Sequence, residues 1–184
     1  MENKATKAIL EDLSDCGVCQ TGRRYLQGTQ KDLATLVKVW KGWPEYFYEH
    51  SAYALQVMRK HMDEKLRRQL AGESLFVDFK GEATIGNGDE QVYFIGDSHV
   101  DVRVDDFTVG TIYLFNEVCV TLRVGINVFL TVEAFDDSCL NITGGEKGRI
   151  MVYKYDRSRI TGTARIKPKE YIRGKVFNGK EMNR

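Results

Sequence analysis

The strongest constraint on this chain is a 20-residue repeat between residues 91 and 170. Apolar side chains recur at fixed positions in four consecutive repeats, 91–110, 111–130, 131–150 and 151–170. One column, meaning one position compared across the repeats, is β-branched throughout: Val92, Ile112, Val132, Val152 and Ile172. β-branched residues favour strands. Such a period is typical of a solenoid, in which each coil buries its apolar side only by stacking on the next.

Further columns divide each repeat into a strand, a turn, a second strand and a variable return loop. One apolar column consists of Ile95, Phe115, Phe135 and Tyr155. It is followed at once by residues that favour turns, namely Gly96, Asn116, Asp136 and Asp156. Two apolar columns then stand two residues apart, as in a strand with one buried face: Val100, Val120, Leu140 and Ile160, then Val102, Leu122 and Ile142.

The predicted fold class is α+β, with a helical unit over residues 1–72 and a β-solenoid, or β-helix, over residues 73–184. The solenoid is expected to have about four to five coils. Residues 74–90 are predicted to form a degenerate first coil, because Leu75, Val77 and Phe79 alternate. Residues 171–184 are predicted to form a partial last coil.

Three helices, and a short turn or helix through Tyr25-Leu26, are predicted in the first 72 residues. An amphipathic segment surrounds Ala8, Ile9 and Leu13. A second helix is capped by Thr29, ends at Gly42 and has an apolar face made of Leu33, Leu36, Val37 and Trp40. Pro44 is placed at the first turn of a longer helix from about Glu45 to Leu70, where its missing N–H costs nothing. That helix is expected to pack on its own domain, since Arg59 interrupts the heptad seam of Tyr48, Ala52, Leu55, Met62 and Leu66.

The net charge of +1 conceals a strong asymmetry along the chain. Residues 71–140 carry 3 basic and 13 acidic side chains, whereas residues 141–184 carry 12 basic and 4 acidic ones. Complementary ends favour head-to-tail or ring assembly, and neighbouring opposite charges would also stabilise stacking. A further possibility is that the basic end docks an acidic partner or a nucleic-acid backbone through Arg149, Arg159, Arg165, Lys167, Lys169, Arg173 and Lys175.

A tyrosine column forms a second candidate binding surface. Tyr93, Tyr113 and Tyr153 share one position in the repeat, and Glu133 interrupts them. Because they alternate with apolar residues, they are expected to point away from the core. Outward aromatic rings can stack on a sugar or on a partner protein, although aromatics also favour strands for their own sake.

The four cysteines provide only weak metal or redox candidates. Cys16 and Cys19 have the spacing of a redox motif but lack the surrounding βαβ unit, so they are expected to be structural. His99, Cys119 and Cys139 form one outward column that continues to Arg159. No fourth ligand accompanies that column, and His50 and His61 are too far apart along one helix to share an ion. The sequence therefore predicts no bound metal and no cofactor.

No catalytic residue is predicted. The carboxylate pairs Asp105-Asp106 and Asp136-Asp137 could be imagined in a glycoside hydrolase. They stand at different positions of the repeat, so they are expected to be solvated turn residues instead. Neither a Ser/His/Asp set nor a glycine-rich phosphate loop can be placed in this sequence.

The protein is expected to stay in the compartment in which it is translated. No apolar run approaches the roughly 18 to 20 residues that cross a bilayer, so no membrane contact is predicted. The first residues, MENKATKAILEDLSD, lack the uninterrupted apolar centre of a signal peptide. Without such a signal, the cysteines are expected to stay reduced.

The turn between the two strands of each repeat supports a resemblance. Similar motifs are Ile95-Gly96-Asp97-Ser98-His99-Val100, Phe135-Asp136-Asp137-Ser138-Cys139-Leu140 and Tyr155-Asp156-Arg157-Ser158-Arg159-Ile160. The motif between them, Phe115-Asn116-Glu117-Val118-Cys119-Val120, has Val in place of Ser. The last half of the chain thereby resembles small uncharacterised proteins of phages and mobile elements that join a helical N-terminus to short β-solenoid repeats. The resemblance implies a phage or mobile-element origin, and with it a location in the cytoplasm of a bacterial host or in a virion. The expected partner is a second copy of the chain or a phage or host protein.

Together these features predict a non-enzymatic structural or interaction protein, which self-assembles or binds a protein partner through its solenoid. The helical unit is expected to mediate assembly. Two alternatives stay open. One is a carbohydrate-active enzyme or carbohydrate-binding module on a short β-helix, and the other is a nucleic-acid-binding module that uses the basic C-terminal end.

Overall fold

The fold has the predicted class, with helices followed by parallel sheets that form a β-solenoid of about four turns. The computed structural model describes residues 4–15, 24–26, 30–145, 147–162, 169–171, 176–177 and 180–181. The chain divides into two compact units, Met1–Leu75 and Phe76–Arg184. No helix in the described ranges is both long enough and apolar enough to cross a membrane.

The helical unit contains α1 (Lys4–Asp15), a short helical segment at residues 24–26, α2 (Leu33–Gly42), α3 (Pro44–His61) and α4 (Glu64–Gly72). The predicted amphipathic first helix is confirmed, because Ile9, Leu10 and Leu13 of α1 are buried. Trp40 of α2 and Phe47 of α3 are also buried, and their rings are stacked. Apolar faces of these helices therefore form a core of their own.

The cap of α2 differs from the prediction. Asp32 is the N-cap residue, and its Oδ1 accepts a hydrogen bond from the Thr35 N–H at 2.9 Å. Thr29, the predicted cap, lies outside the described residues and three positions too early. Aspartate is as good a cap as threonine or better, and the apolar face at Leu36, Val37 and Trp40 is buried as expected.

The long helix predicted from Glu45 to Leu70 is wrong, because two helices occupy this range. Pro44 is the first residue of α3, as expected, but Met62 adopts an extended conformation and ends that helix. Asp63 then caps α4, with its Oδ1 accepting from the Leu66 N–H at 2.7 Å. The heptad seam therefore does not continue from α3 into α4, because a cap residue starts a new helix between them.

The solenoid is built from two parallel sheets, to which successive strands contribute alternately. Sheet A has the order β1-β3-β5-β7-β9-β11, and sheet B has the order β10-β8-β6-β4-β2. The strands of sheet A are β1 (Leu75–Val77), β3 (Gln91–Gly96), β5 (Val109–Asn116), β7 (Phe129–Ala134), β9 (Arg149–Tyr155) and β11 (Lys169–Tyr171). Those of sheet B are β2 (Lys80–Ile85), β4 (His99–Val104), β6 (Cys119–Val124), β8 (Cys139–Gly144) and β10 (Arg159–Gly162). Residues 171–184 are predicted to form a partial last coil, but the strands described there, β12 (Val176–Phe177) and β13 (Lys180–Glu181), differ from that expectation. They pair with each other in an antiparallel sheet of their own and belong to neither parallel sheet.

From β3 to β10 the sequence columns are the columns of the structure. Ile172, the predicted next member of the first column, lies outside the described residues, and β11 pairs with β9 at an interval of 16 residues, Lys169 with Tyr153. In sheet A, Val92 pairs with Ile112, Ile112 with Val132, and Val132 with Val152. In sheet B, the paired column is Val100, Val120, Leu140 and Ile160. The predicted first coil is also confirmed, since β2 pairs with β4 in parallel. That coil is one residue shorter, because Lys80 pairs with His99 instead of a residue 20 positions later.

The core of the solenoid lies between the two sheets. Alternate side chains of each strand enter it, as the pattern of exposed and buried residues along β4 shows. Its central members are Phe94, Val102, Leu114, Leu122, Val132 and Ile142, and each is almost completely buried. A buried aliphatic or phenylalanine side chain contributes about 1.5 to 3 kcal/mol, so stacked coils gain stability from each shared column.

A polar ladder holds the turns that follow the strands of sheet A. Asn116, Asp136 and Asp156 all have a positive φ, at 70°, 59° and 56°. The Asp136 Oδ2 accepts a hydrogen bond from the Asn116 N–H at 2.8 Å, and the Asp156 Oδ2 accepts one from the Asp136 N–H at 3.2 Å. Asn and Asp tolerate this backbone conformation best among residues with a side chain, which explains the predicted turn column.

Candidate functional site

The tyrosine column is not an accessible surface, so this part of the prediction is wrong. Tyr93 and Tyr113 are only 0% and 7% exposed, and their rings stack with centroids 4.6 Å apart. They do project from sheet A on the side opposite to the core. That side also carries the apolar column of Ile95, Phe115 and Phe135, which is equally buried. For a face that carries two apolar columns, burial is more favourable than exposure to water.

Tyr153 is the most accessible of the three tyrosines, and it is partly buried. The ammonium group of Lys169 lies 5.5 Å from the centre of its ring, a cation–π contact within the chain. A sugar would have to displace this contact to stack on Tyr153.

The basic residues predicted as a docking cluster do not converge where the structure describes them. Arg149 begins β9, Arg159 begins β10 and Lys169 begins β11. The first and last belong to sheet A, whereas Arg159 belongs to sheet B on the other side of the core. The remaining members, Arg165, Lys167, Arg173 and Lys175, lie outside the described residues.

The cysteine column is confirmed as an outward column. His99 pairs with Cys119, Cys119 with Cys139, and Cys139 with Arg159. The cysteines are half-buried, while His99 and Arg159 are exposed. Among the described residues, no group of three possible ligands is arranged to hold a metal ion. Cys16 and Cys19 lie outside those residues.

Both carboxylate pairs are engaged in turns. Asp105 pairs with Arg103 at 3.3 Å, and the Asp106 Oδ1 accepts from the Ile126 N–H at 2.8 Å. Asp136 belongs to the polar ladder, and Asp137 forms a two-bond ion pair with Arg157. The first pair follows a strand of sheet B and the second follows a strand of sheet A. They occupy different corners of the coil, as their positions in the repeat predict.

An exposed apolar cluster that the sequence analysis missed lies at the turns from sheet B to sheet A. We call it the corner patch, and it comprises Phe107 (59% exposed), Val109 (61%), Ile126 (43%) and Phe129 (54%). These are the exposed large apolar side chains of the described residues. Single exposed apolar residues are ordinary, but a contiguous cluster marks a surface for interaction.

The corner patch is held by a regular hydrogen-bond network. The Phe107 N–H donates to the Ile126 carbonyl at 3.0 Å, and Val109 pairs with Phe129 in the ladder of sheet A. The intervening Thr108 and Val128 are fully buried, and the Thr108 hydroxyl donates to the Asp105 carbonyl at 2.7 Å. Two turns are thus anchored from inside while their apolar side chains point outward. Little side-chain or loop ordering would be needed for binding.

The residues that flank the corner patch along the stack are acidic on one side and basic on the other. One column, in steps of 20 residues, consists of Asp89, Val109, Phe129 and Arg149, and the last three are paired in the ladder. Asp89 and the exposed Glu90 form the acidic flank, and the exposed Lys147 and Arg149 form the basic flank. Neither Lys147 nor Arg149 forms an ion pair with another residue in the described part of the chain.

The sequence contained a signal for this patch. Val109 and Phe129 are apolar at the same return-loop position in two consecutive repeats, whereas a solvated loop favours polar residues there. Because the return loops vary in sequence, the strand columns that predict the solenoid do not include this position. The same comparison would have shown the acidic and basic ends of the column.

Comparison of the chain with protein-family models, with curated proteins and with solved structures finds no match. The helical N-terminus and the solenoid are therefore established by the structure alone. A phage or mobile-element origin has no support from these comparisons.

Proposed function

We propose that this chain is a structural protein that associates with a second copy of itself, and that the corner patch is the two-fold contact between the two solenoids. The order of charges along the patch is the observation that carries this proposal. It agrees with the interpretation of the sequence as that of a self-assembling protein, but it assigns the contact to a surface that was not predicted.

A two-fold contact brings the same surface of both copies together with its direction reversed. An axis perpendicular to the stack, passing between Val109 and Phe129, would place Val109 of one copy opposite Phe129 of the other. The acidic flank of each copy would then face the basic flank of its partner. The column of acid, apolar, apolar and base is therefore complementary to itself, and a parallel arrangement of two copies would instead oppose like charges.

The size of the corner patch fits a dimer of moderate affinity. A phenylalanine side chain has about 200 Å² to bury, so Phe107 and Phe129 expose roughly 230 Å² between them. With Val109 and Ile126 the patch reaches the few hundred Å² of functional patches on monomers. Two such patches and their flanks approach the roughly 1,200 Å² at which specific interfaces begin, so we expect a dissociation constant on the order of micromolar.

Light scattering coupled to size-exclusion chromatography over a dilution series tests the proposal. We expect a monomer–dimer equilibrium in the wild type and a monomer for Phe129→Asp, because a buried carboxylate would lie at the centre of the contact. Thr84→Asp is the matched control. It introduces the same charge at an exposed position on the outer face of sheet B, and should leave the equilibrium unchanged.

A charge exchange tests the orientation of the two copies. Arg149→Glu and Glu90→Arg should each weaken the dimer by about tenfold, because each opposes like charges across the contact. The double variant should recover most of the affinity. A monomer at every concentration would refute self-association. An oligomer that Phe129→Asp leaves intact would assign assembly to another surface, such as one on the helical unit.

A further inference from the structure

Cys119 and Cys139 lie side by side on the outer face of sheet B. They are directly paired in the parallel ladder between β6 and β8. Both are free and half-buried. They line an open depression of about 490 Å³, whose other lining residues include His99 and Asn141. The two sulfur atoms are therefore accessible together from one side.

The spacing of the two cysteines suits a bridging metal ion better than a disulfide bond. Paired residues of parallel strands are related by the strand separation of about 4.8 Å. A disulfide requires Cβ atoms about 3.5 to 4.5 Å apart, so the ladder would have to be compressed or twisted. Two metal–thiolate bonds of about 2.3 Å in a linear arrangement span roughly 4.6 Å, which matches the ladder.

The neighbouring charges suit an anionic complex. Two thiolates around a monovalent ion carry one net negative charge, and Arg159 is the ladder partner of Cys139. On the other side, His99 lies next to Cys119 in the ladder, and its Nε2 is 3.0 Å from the Asp97 Oδ1. His99 is thus engaged with a carboxylate, and the two sulfur atoms remain as the donors.

The number of donors selects the kind of ion. Zinc in protein sites takes four ligands, and no group of three possible ligands is found among the described residues. Thiolates favour soft ions, of which monovalent copper accepts two ligands in a line. We propose that Cys119 and Cys139 form a two-thiolate site for copper(I).

Binding at this site is an exchange of protons for the metal ion. Two S–H bonds break, two Cu–S bonds form and two protons leave to solvent, and no electron is transferred.

The test uses the full-length chain with Cys16→Ser and Cys19→Ser, so that the other two thiols do not contribute. Copper(I) is supplied without oxygen and titrated against a coloured competing chelator. We expect one equivalent to bind, with thiolate-to-copper charge-transfer absorption in the ultraviolet. Cys119→Ser and Cys139→Ser should each weaken binding at least about 100-fold, since even the loss of a supporting residue around a metal costs 10- to 100-fold.

Two further variants sharpen the assignment. His99→Ala should keep the one-to-one stoichiometry, because the two sulfur atoms suffice. Arg159→Ala should weaken binding by a smaller factor without changing the absorption spectrum, since it removes only a neighbouring charge. Circular dichroism establishes that each variant is folded. No uptake by the parent protein, or uptake that survives in folded Cys119→Ser, would overturn the proposal, as would conversion of the pair to a disulfide by a mild oxidant in preference to copper uptake.

Discussion

One position of the repeat provides an internal test of how the corner before each sheet B strand is stabilised. Ser98, Val118, Ser138 and Ser158 occupy this position, and all are essentially fully buried. The Ser98 Oγ accepts a hydrogen bond from the Phe79 N–H at 2.9 Å and donates one to the Ile95 carbonyl at 2.8 Å. The Ser138 Oγ has no hydrogen-bond partner among the described residues. Ser98→Val and Ser138→Val should therefore have opposite effects.

The magnitudes follow from these contacts. Ser98→Val removes two buried hydrogen bonds and leaves the Phe79 N–H without this acceptor, which costs about 1 to 3 kcal/mol. Added apolar burial offsets about 0.8 kcal/mol, so we expect the free energy of unfolding to fall by about 1 kcal/mol. Ser138→Val removes a buried hydroxyl without a partner, and Val118 shows that valine fits this corner. We expect an increase of about 1 kcal/mol.

The assay is urea denaturation followed by circular dichroism of the β-sheet band. The two tryptophans, Trp40 and Trp43, belong to the helical unit, so their fluorescence reports separately on that unit. Val118→Ser is the reciprocal control and should lower stability by about 1 kcal/mol. A loss of stability in Ser138→Val as large as that in Ser98→Val would refute the reasoning.

Two further predictions concern Asp136 and Asp12. Asp136→Ala should destabilise the solenoid by about 2 kcal/mol and speed amide exchange at Asn116, because it removes the acceptor of that N–H and places alanine at a φ of 59°. Asp136→Asn should retain most of the stability. In the helical unit, hydrogen bonds from Lys60 first and His61 second lower the pKa of Asp12 below its ordinary value of 3.8. The ionised Asp12 therefore contributes less than about 1 kcal/mol to the free energy of unfolding, because it is an accessible group. This contribution is present above pH 3.8 and is lost as the pH falls through the lowered pKa. The difference in urea denaturation between wild type and Asp12→Asn should therefore shrink in acid.

The solenoid was predictable because its structural period and its sequence period are the same. Once Val92 aligns with Ile112 at an interval of 20 residues, parallel pairing and the position of the core follow from the alternation of side chains. The turn column was also predictable, since Asn116 and Asp136 tolerate a positive φ. The repeat therefore predicts the register of the strands as well as the fold class.

The helical unit was less predictable because its boundaries depend on single residues. Met62 ends one helix and Asp63 caps the next, yet the Asp63 carboxylate could equally have lain on the surface of a continuous helix. Periodicity over Tyr48, Leu55 and Leu66 cannot distinguish these cases, because α3 and α4 each keep their own apolar face. The extended backbone at Met62 and the hydrogen bond from the Leu66 N–H to Asp63 decide between them.

The predicted accessibility of the tyrosine column fails for a different reason. Alternation establishes on which side of a sheet a residue lies, but it does not establish whether that side faces water. Tyr93 and Tyr113 lie opposite the core, as predicted, and are nevertheless buried. The neighbouring column of Ile95, Phe115 and Phe135 predicts this burial, because exposing so many apolar side chains to water is unfavourable.

Both proposed sites arise where a column departs from the pattern that stacking alone requires. Stacking requires apolar residues inside and places no demand on the outer positions, which a solvated coil would fill with polar side chains. At the corner, Val109 and Phe129 are apolar between Asp89 and Arg149. On the outer face of sheet B, two thiols stand in register. Parallel stacking places residues at the same position of successive coils about 4.8 Å apart. This spacing suits an extended contact at the corner patch and a bridged ion between the two thiols.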